Sequence, residues 1–329
     1  ANELAADRGH YAVAQAASGA PGGAAGGPSM EELAAEMDNP LGKLWLLFLQ
    51  NDTFIYDGDP LGEEVINMTV FMPVLSIPLG PRWNFVVRPI LPFISAPKPN
   101  LPNNVGRFPD DILSDPAFGP IANLSLSTDR EFEFGDMMLM TAVGPSGLVA
   151  DKFVMGLGPT FMFPTASDDF FGSEKFSIGP AVILVFLGEK WKLGFIAQHW
   201  WSVAGESDRP DVSTSNIQYL IYYELPKLWS IGMGPNILVN WEADDGNKLT
   251  FPIGLGFSKT TLLFGKLPFR FGVEVHYAVV HPDDFGQRWN FRVYVVPVLP
   301  SPFTKKQMQQ QAAESAPSRG TATPWPHQG

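Results

Sequence analysis

The chain has 329 residues, 45% hydrophobic, 17% charged and 12% aromatic, with 32 Gly, 31 Pro and no Cys. Thirty-four acidic against 22 basic side chains leave a net charge of −12, which argues against a nucleic-acid partner because that demands a basic stripe. The lack of cysteine excludes a disulfide scaffold, a thiolate metal site and a cysteine nucleophile, and no apolar run approaches the ~20 residues of a spanning helix.

Residues 1–28 read as an Ala/Gly-rich, low-complexity tether (GAPGGAAGG). They show no basic, apolar, then small-residue start, so either a signal peptide has been removed or export takes another route. Ser29-Met30-Glu31-Glu32 then matches a capping box, in which the Ser hydroxyl caps the helix start and Glu32 reaches back. A short helix over 30–38 follows, ended by Asn39-Pro40 because the residue before Pro avoids the α region. That helix either plugs the rest of the fold or binds a periplasmic partner, or it is a remnant on a flexible leader; the last is the plainer reading.

From 41 to 299 the texture changes to twelve apolar and aromatic stretches without helical period: 43–55, 64–77, 82–95, 129–142, 152–164, 174–187, 190–203, 214–225, 228–241, 248–263, 268–280 and 288–299. The breaks between them alternate. One set is longer and acidic (57–64, 96–128, 165–175, 205–213, 242–247, 281–288), the other tight and often basic (78–82, 144–151, 188–190, 226–227, 265–268). Short turns at one end and long loops at the other are the signature of an outer-membrane barrel. The expected fold is therefore all-β, a transmembrane antiparallel up-and-down barrel of about 12 strands. A leader at 1–40, the barrel at 41–299 and a polar tail at 300–329 complete the plan.

Period-two patterning supports closure around a polar interior. In 268–280, Phe269, Phe271, Val273, Val275 and Tyr277 oppose Arg270, Gly272, Glu274 and His276. In 288–299, Trp289, Phe291 and Val293 oppose Asn290, Arg292 and Tyr294, and in 82–95, Trp83, Phe85 and Val87 oppose Asn84 and Arg88. A lipid-facing wall requires one such apolar face. With the N-terminus periplasmic, Trp45, Trp83, Trp191 and Trp229 fall at the tight-turn end and Trp200, Trp201, Trp241 and Trp289 at the long-loop end, as two aromatic girdles would. Seven prolines lie within the strands: Pro73, Pro89, Pro92, Pro159, Pro180, Pro235 and Pro252. A closed barrel offers no edge to hide them, so bulges or kinks are expected at GLGP (156–159), SIGP (177–180) and GMGP (232–235).

The inward-facing set Arg88, Lys192, Gln198, Asn216, Gln218, Glu224, Asn236, Asn240, Arg270, Glu274, His276 and Arg292 lines a selective path or forms a structural plug of ion pairs. Acidic pairs crown the long loops: Asp110 with Asp111, Asp168 with Asp169, Asp244 with Asp245, and Asp283 with Asp284, accompanied by Glu206, Asp208 and Asp211. They could favour cations at a pore mouth or hold a divalent cation through oxygen ligands; solvated loop charge is the commoner case. No metal or cofactor motif is present, and none of the five histidines lies in H-E-x-x-H. A barrel hydrolase would need a Ser–His pair. Ser202 lies three residues after His199, on the opposite face of a strand, so only a serine on another strand could serve.

Five blocks occurring in order, PVLSIPLGPRWNFVVRPILPF (73–93), GLGPTFMFPTASDDFFGSEKFSIGPAVILV (156–185), QHWWSVAGESDRPDVS (198–213), NWEADDGNKLTFPIGLGFSK (240–259) and VVHPDDFGQRWNFRV (279–293), resemble one bacterial family. It is the outer-membrane β-barrel family of meta-pathway phenol-degradation proteins, described as transporters and mislabelled neuromedin U in some members. The resemblance implies a signal peptide removed on export, a bacterial outer-membrane location and movement of hydrophobic or aromatic compounds. The leader, the 96–128 insertion and the polar tail depart from the family pattern. The expectation is a non-enzymatic channel for small, hydrophobic or aromatic solutes, in contact with membrane lipid and lipopolysaccharide, its oligomeric state open. A non-conducting structural or partner-binding barrel is the alternative, and an outer-membrane phospholipase the third reading.

Overall fold

The computed structural model describes residues 29–58, 62–99, 126–265 and 267–303. The leader up to 28, most of the 96–128 loop with Asp110 and Asp111, and the tail beyond 303 lie outside the described residues.

The order is α1 (Met30–Met37), β1 (Leu44–Asp57), β2 (Glu64–Pro78), β3 (Trp83–Pro99), β4 (Leu126–Phe134), β5 (Met137–Pro145), β6 (Phe153–Phe163), β7 (Lys175–Leu187), β8 (Trp191–Gly205), β9 (Ser213–Leu225), β10 (Trp229–Met233), β11 (Asn236–Asn240), β12 (Leu249–Leu263), β13 (Leu267–Val280) and β14 (Gly286–Pro300). Neighbours in sequence pair antiparallel, and β14 returns to β1 with Leu44 opposite Pro300 and Asp57 opposite Gly286. Closure leaves no ladder edge, which a wall in hydrocarbon requires. β4 and β5 together make one wall strand, as do β10 and β11, so the barrel has twelve.

The outer wall is apolar: Leu157, Leu255, Val273 and Val293 stand exposed on it. It carries a polar interruption where β1 meets β2. There Asn51 and Asn67 exchange amide hydrogen bonds at 2.9 and 3.0 Å and also donate to Thr69 and Thr53. Self-pairing of this kind lets polar groups sit where water is scarce.

The prolines behave unequally. Pro235 splits β10 from β11, yet both halves keep one register against β9, and Pro252 sits at a register shift against β13. Pairing of β2 with β3 is interrupted between Phe71–Leu91 and Leu75–Val87, around Pro73 and Pro89. Pro159 and Pro180 face each other in an unshifted β6–β7 ladder and no register shift forms at GLGP, but on the other side of β7 the register against β8 shifts between Phe176 and Ser177, a bulge at the start of SIGP. As a non-hydrogen-bonded pair they turn their donor-less nitrogens away from each other, and the ladders to β5 and β8 skip there, between Met140–Thr160 and Val143–Leu157 and between Ile178–Trp201 and Ala181–Gln198. A further bulge lies opposite Pro92: the β3 register moves by one residue between β4 and β5 at Gly135-Asp136, where Gly135 N donates to Pro92 O at 3.0 Å.

Helix α1 is not a loose remnant. The capping box forms, with Ser29 Oγ accepting from Glu32 N at 3.1 Å and Ser29 N donating to Glu32 Oε2 at 2.8 Å. Leu33, Ala34 and Met37 are buried. The chain after the helix enters the barrel, where Leu41 is buried completely and its carbonyl accepts from Asn84 Nδ2 at 2.7 Å. An apolar core, including Met37, Leu41, Val86, Met140, Ile183 and Val296, closes around this segment. The lumen thus supplies the burial that an eight-residue helix cannot obtain alone.

Candidate functional site

The lumen has three levels. At the tight-turn end, Asp38, the C-cap of α1, pins the helix. Its carboxylate accepts from Arg270 Nη1 at 2.5 Å and pairs with Lys192, which also reaches Glu224 at 3.0 Å. Burial alone would raise the Asp38 carboxyl, but Arg270 and Lys192 hold it below the usual aspartate range. Glu36, whose carboxylate accepts from Lys43 N at 2.7 Å, moves up because burial dominates.

The middle level is a charged lattice. Asp52 on β1, with no exposed surface, accepts from Arg292 Nε and Asn290 Nδ2, each at 2.8 Å, and from Gln50 Nε2 at 2.5 Å. Glu274 accepts from Tyr222 OH at 2.6 Å and lies 2.8 Å from Nε2 of the fully buried His276. The Gly234-Pro235 break feeds this lattice. Gly234 O accepts from Arg292 Nη1 at 2.7 Å and Gln218 Nε2 at 3.2 Å, and Gly234 N donates to Glu274 Oε2 at 3.1 Å. Backbone groups lost to the ladder are thereby satisfied from inside, as buried peptide groups must be.

Above the lattice, on the long-loop side, lies a cavity of about 510 Å³; a second of about 160 Å³ lies below it, against α1. Gln50, Met72, Arg88, Ile196, Gln218 and Arg292 line both and form the divider. One wall of the upper chamber is apolar (Ile66, Met68, Val70, Ile90, Ile94, Met138), and the facing wall carries Gln198, Asn216, Asn236 and Asn290. Phe170 and Phe171 line it from the loop after β6. That loop is fixed by Asp136, which accepts from Thr165 N, Ala166 N and Ser173 N at 3.0, 3.1 and 2.7 Å. The β4–β5 bulge puts Asp136 there.

Of the twelve inward residues inferred from sequence, Arg88, Lys192, Gln198, Asn216, Gln218, Glu224, Asn236, Arg270, Glu274 and Arg292 line one or both cavities. His276 is buried behind Glu274. Asn240 stands apart, exposed at the end of β11 and accepting from Glu242 N at 3.1 Å. Patterning missed Asp38, Asp52, Tyr222 and Asp136. For Asp52 the signal was present, because it shares inward parity with Leu44 and Leu46 on β1.

Among the girdle tryptophans, Trp83, Trp191, Trp201, Trp229, Trp241 and Trp289 are exposed on the outer wall, and Trp45 lies at its tight-turn end with Nε1 donating to Ser76 O at 3.0 Å. Trp200 is the exception. Only 1% exposed, it points inward, since adjacent strand residues take opposite faces and Trp201 holds the outer position.

The acidic loops associate in pairs. Arg209 donates to the Asp169 carbonyl at 3.0 Å and Lys175 pairs with Asp211 at 3.5 Å, joining the loops after β6 and β8. Asp168 caps Phe170 N at 2.9 Å, and Asp208 lies on the same side of the barrel, in the loop after β8. Asn247 donates to Asp284 at 2.6 Å and Asp283 N donates to Gly246 O at 3.2 Å, while Asp245 pairs with Lys248 beside Asp244. Among the described residues, no three metal-capable side chains gather.

A serine on another strand does meet His199. Ser215 Oγ lies 2.7 Å from His199 Nδ1 on the outer wall, and also accepts from Trp241 Nε1 at 2.9 Å. His199 Nε2 is buried and has no hydrogen-bond partner among the described residues, so they supply no third group to orient the imidazole as hydrolase chemistry requires. A fluorophosphonate probe should leave the folded protein unlabelled; labelling abolished by Ser215→Ala would reinstate a hydrolase.

No protein-family model matches the chain, and no curated protein matches its sequence. Solved structures do resemble it. An outer-membrane channel from Pseudomonas putida F1 aligns with a TM-score of 0.51 at 14% identity, covering 78% of this chain and 94% of that one. The CymD monoaromatic hydrocarbon channel gives 0.40 at 10% identity over 87% and 96%. A FadL homologue from Pseudomonas aeruginosa gives 0.36 at 8% over 78% and 90%. The first likeness supports the outer-membrane barrel fold established by the strand pairing.

Proposed function

We propose that this chain is a bacterial outer-membrane channel for small hydrophobic or aromatic solutes, its apolar belt in contact with lipid and lipopolysaccharide. The observation that carries this reading is the upper chamber of about 510 Å³, apolar on one wall and stacked on a second cavity with which it shares a divider of side chains. A passage for apolar solutes needs such a wall, with few polar groups to desolvate. The channel names of the P. putida and CymD structures accord with it.

The alternative, a non-conducting barrel, draws on α1 and the apolar core that closes around Leu41 at the tight-turn end. Uptake separates the two. Gram-negative cells expressing the protein should take up radiolabelled toluene several-fold faster than vector controls. Equal rates, with the barrel verified in the outer membrane, would favour the structural role.

A further inference from the structure

Among the described residues four cations line the two cavities, and three of them have carboxylate partners. Lys192 pairs with Asp38 and Glu224, Arg270 with Asp38, and Arg292 with Asp52 at 2.8 Å. Arg88 differs. It is 8% exposed, its Nε is buried with no hydrogen-bond partner, and Nη2 makes one long contact, 3.4 Å, to the amide oxygen of Gln218. Among the described residues no ion pair includes it. A guanidinium has five N–H donors, and a buried one left so nearly unsatisfied is unfavourable unless a ligand or water completes it.

The surroundings say what would complete it. Arg88 sits at the divider and lines the upper chamber at the foot of the apolar wall. Ile90 and Ile94 follow it on the same face of β3, with Met68 and Met138 on the strands to either side. A cation at the base of an apolar wall is complementary to an amphipath with an anionic head and an apolar body. The head carries a single charge, because among the described residues Arg88 is the one cavity-lining cation without a carboxylate partner, and Asp52 lines the same chamber. Planarity favours carboxylate, which a guanidinium binds through two parallel hydrogen bonds.

We infer that Arg88 is an anion subsite: the upper chamber takes monocarboxylates with an apolar, aromatic-sized body, the carboxylate on Arg88 and the body against Ile90, Met68 and Met138. The inference deepens the channel reading by naming a solute class, and it rests on the chamber being reached from the long-loop side.

Benzoate and its neutral isostere benzamide are the probes, measured by equilibrium titration of the detergent-solubilised protein against matched blanks. Benzoate should bind wild type more tightly than benzamide. Arg88→Met should weaken benzoate about tenfold or more, the scale of a lost charge-assisted hydrogen bond, and leave benzamide unchanged. Arg88→Lys should recover part of the loss. Heat-modifiable gel mobility certifies that each variant is a folded barrel. Benzoate binding unaffected by Arg88→Met, equal loss of both probes, or no preference for benzoate in wild type would each overturn the subsite. Influx of benzoate into proteoliposomes is scored separately. Binding without influx contradicts the channel and leaves the subsite standing, whereas influx without binding at Arg88 does the reverse.

Discussion

Asp38→Asn is expected to unseat α1. The Asp38 carboxylate is the anion shared by Arg270 and Lys192. Without it Lys192 keeps Glu224, but among the described residues Arg270 retains only Thr260 Oγ1 at 3.0 Å and the Ala34 carbonyl at 3.4 Å. Breaking a buried pair by removing one partner costs about 3–5 kcal/mol, and eight helical residues with Leu33, Ala34 and Met37 as their buried face offer little to offset it. Because the chain has no cysteine, Met37→Cys supplies a single reporter thiol. Its maleimide reaction should accelerate by about two orders of magnitude when Asp38→Asn is added, the factor that ~3 kcal/mol corresponds to. An unchanged rate would mean that apolar packing alone seats the helix.

The same carboxyls give the docking a pH dependence of known sign. The Asp38 value is depressed in the docked state, so its contribution is present above the unfolded value and lost as pH falls through the depressed one. The Glu36 value is raised, so its contribution is present below the unfolded value and lost as pH rises through the raised one. Docking is therefore firmest in mild acid, near the ordinary carboxyl range of about 4, and weakens below it. Conductance recorded over this range should pass through a minimum there.

The second large effect belongs to Arg292→Met. Arg292 ties β14 to Asp52 on β1 at 2.8 Å, to Gly234 O in the β10–β11 break at 2.7 Å and to Asn236 at 3.3 Å. Its loss leaves Asp52, which has no exposed surface, without a countercharge among the described residues and held by the Asn290 and Gln50 amides alone, and should destabilise the barrel by about 3–5 kcal/mol. Denaturant unfolding in detergent, followed by tryptophan fluorescence, reads this as an earlier midpoint. Adding Asp52→Asn should restore much of the loss, because the unpaired charge is gone. If the double variant is as unstable as the single, the damage lies in the Gly234 contact instead.

The wall was legible in the sequence because its rule is local: period-two alternation and turn chemistry place each strand within a few residues. Parity also put Arg270, Glu274 and Arg292 inside. What each one meets was not legible, since Arg292 and Asp52 are 240 residues apart in sequence and become neighbours only through closure. Asp38 was hidden for a similar reason. As a helix C-cap before Asn39-Pro40 it has a sufficient local explanation, and its partners lie on β8 and β13. Trp200 was misplaced because grouping by strand end ignored parity, and parity sends Trp200 and Trp201 to opposite faces. At Gly234-Pro235 the kink was readable as such, while the use of its freed backbone groups by Arg292, Gln218 and Glu274 was not.

Single-channel recording of the refolded protein in planar bilayers, with insertion confirmed by heat-modifiable mobility, tests the channel most directly. Discrete conductance steps, enlarged by Asp38→Asn, are the predicted result. A flat trace from verified insertions, in wild type and in Asp38→Asn alike, would contradict it and make the lumen a structural core.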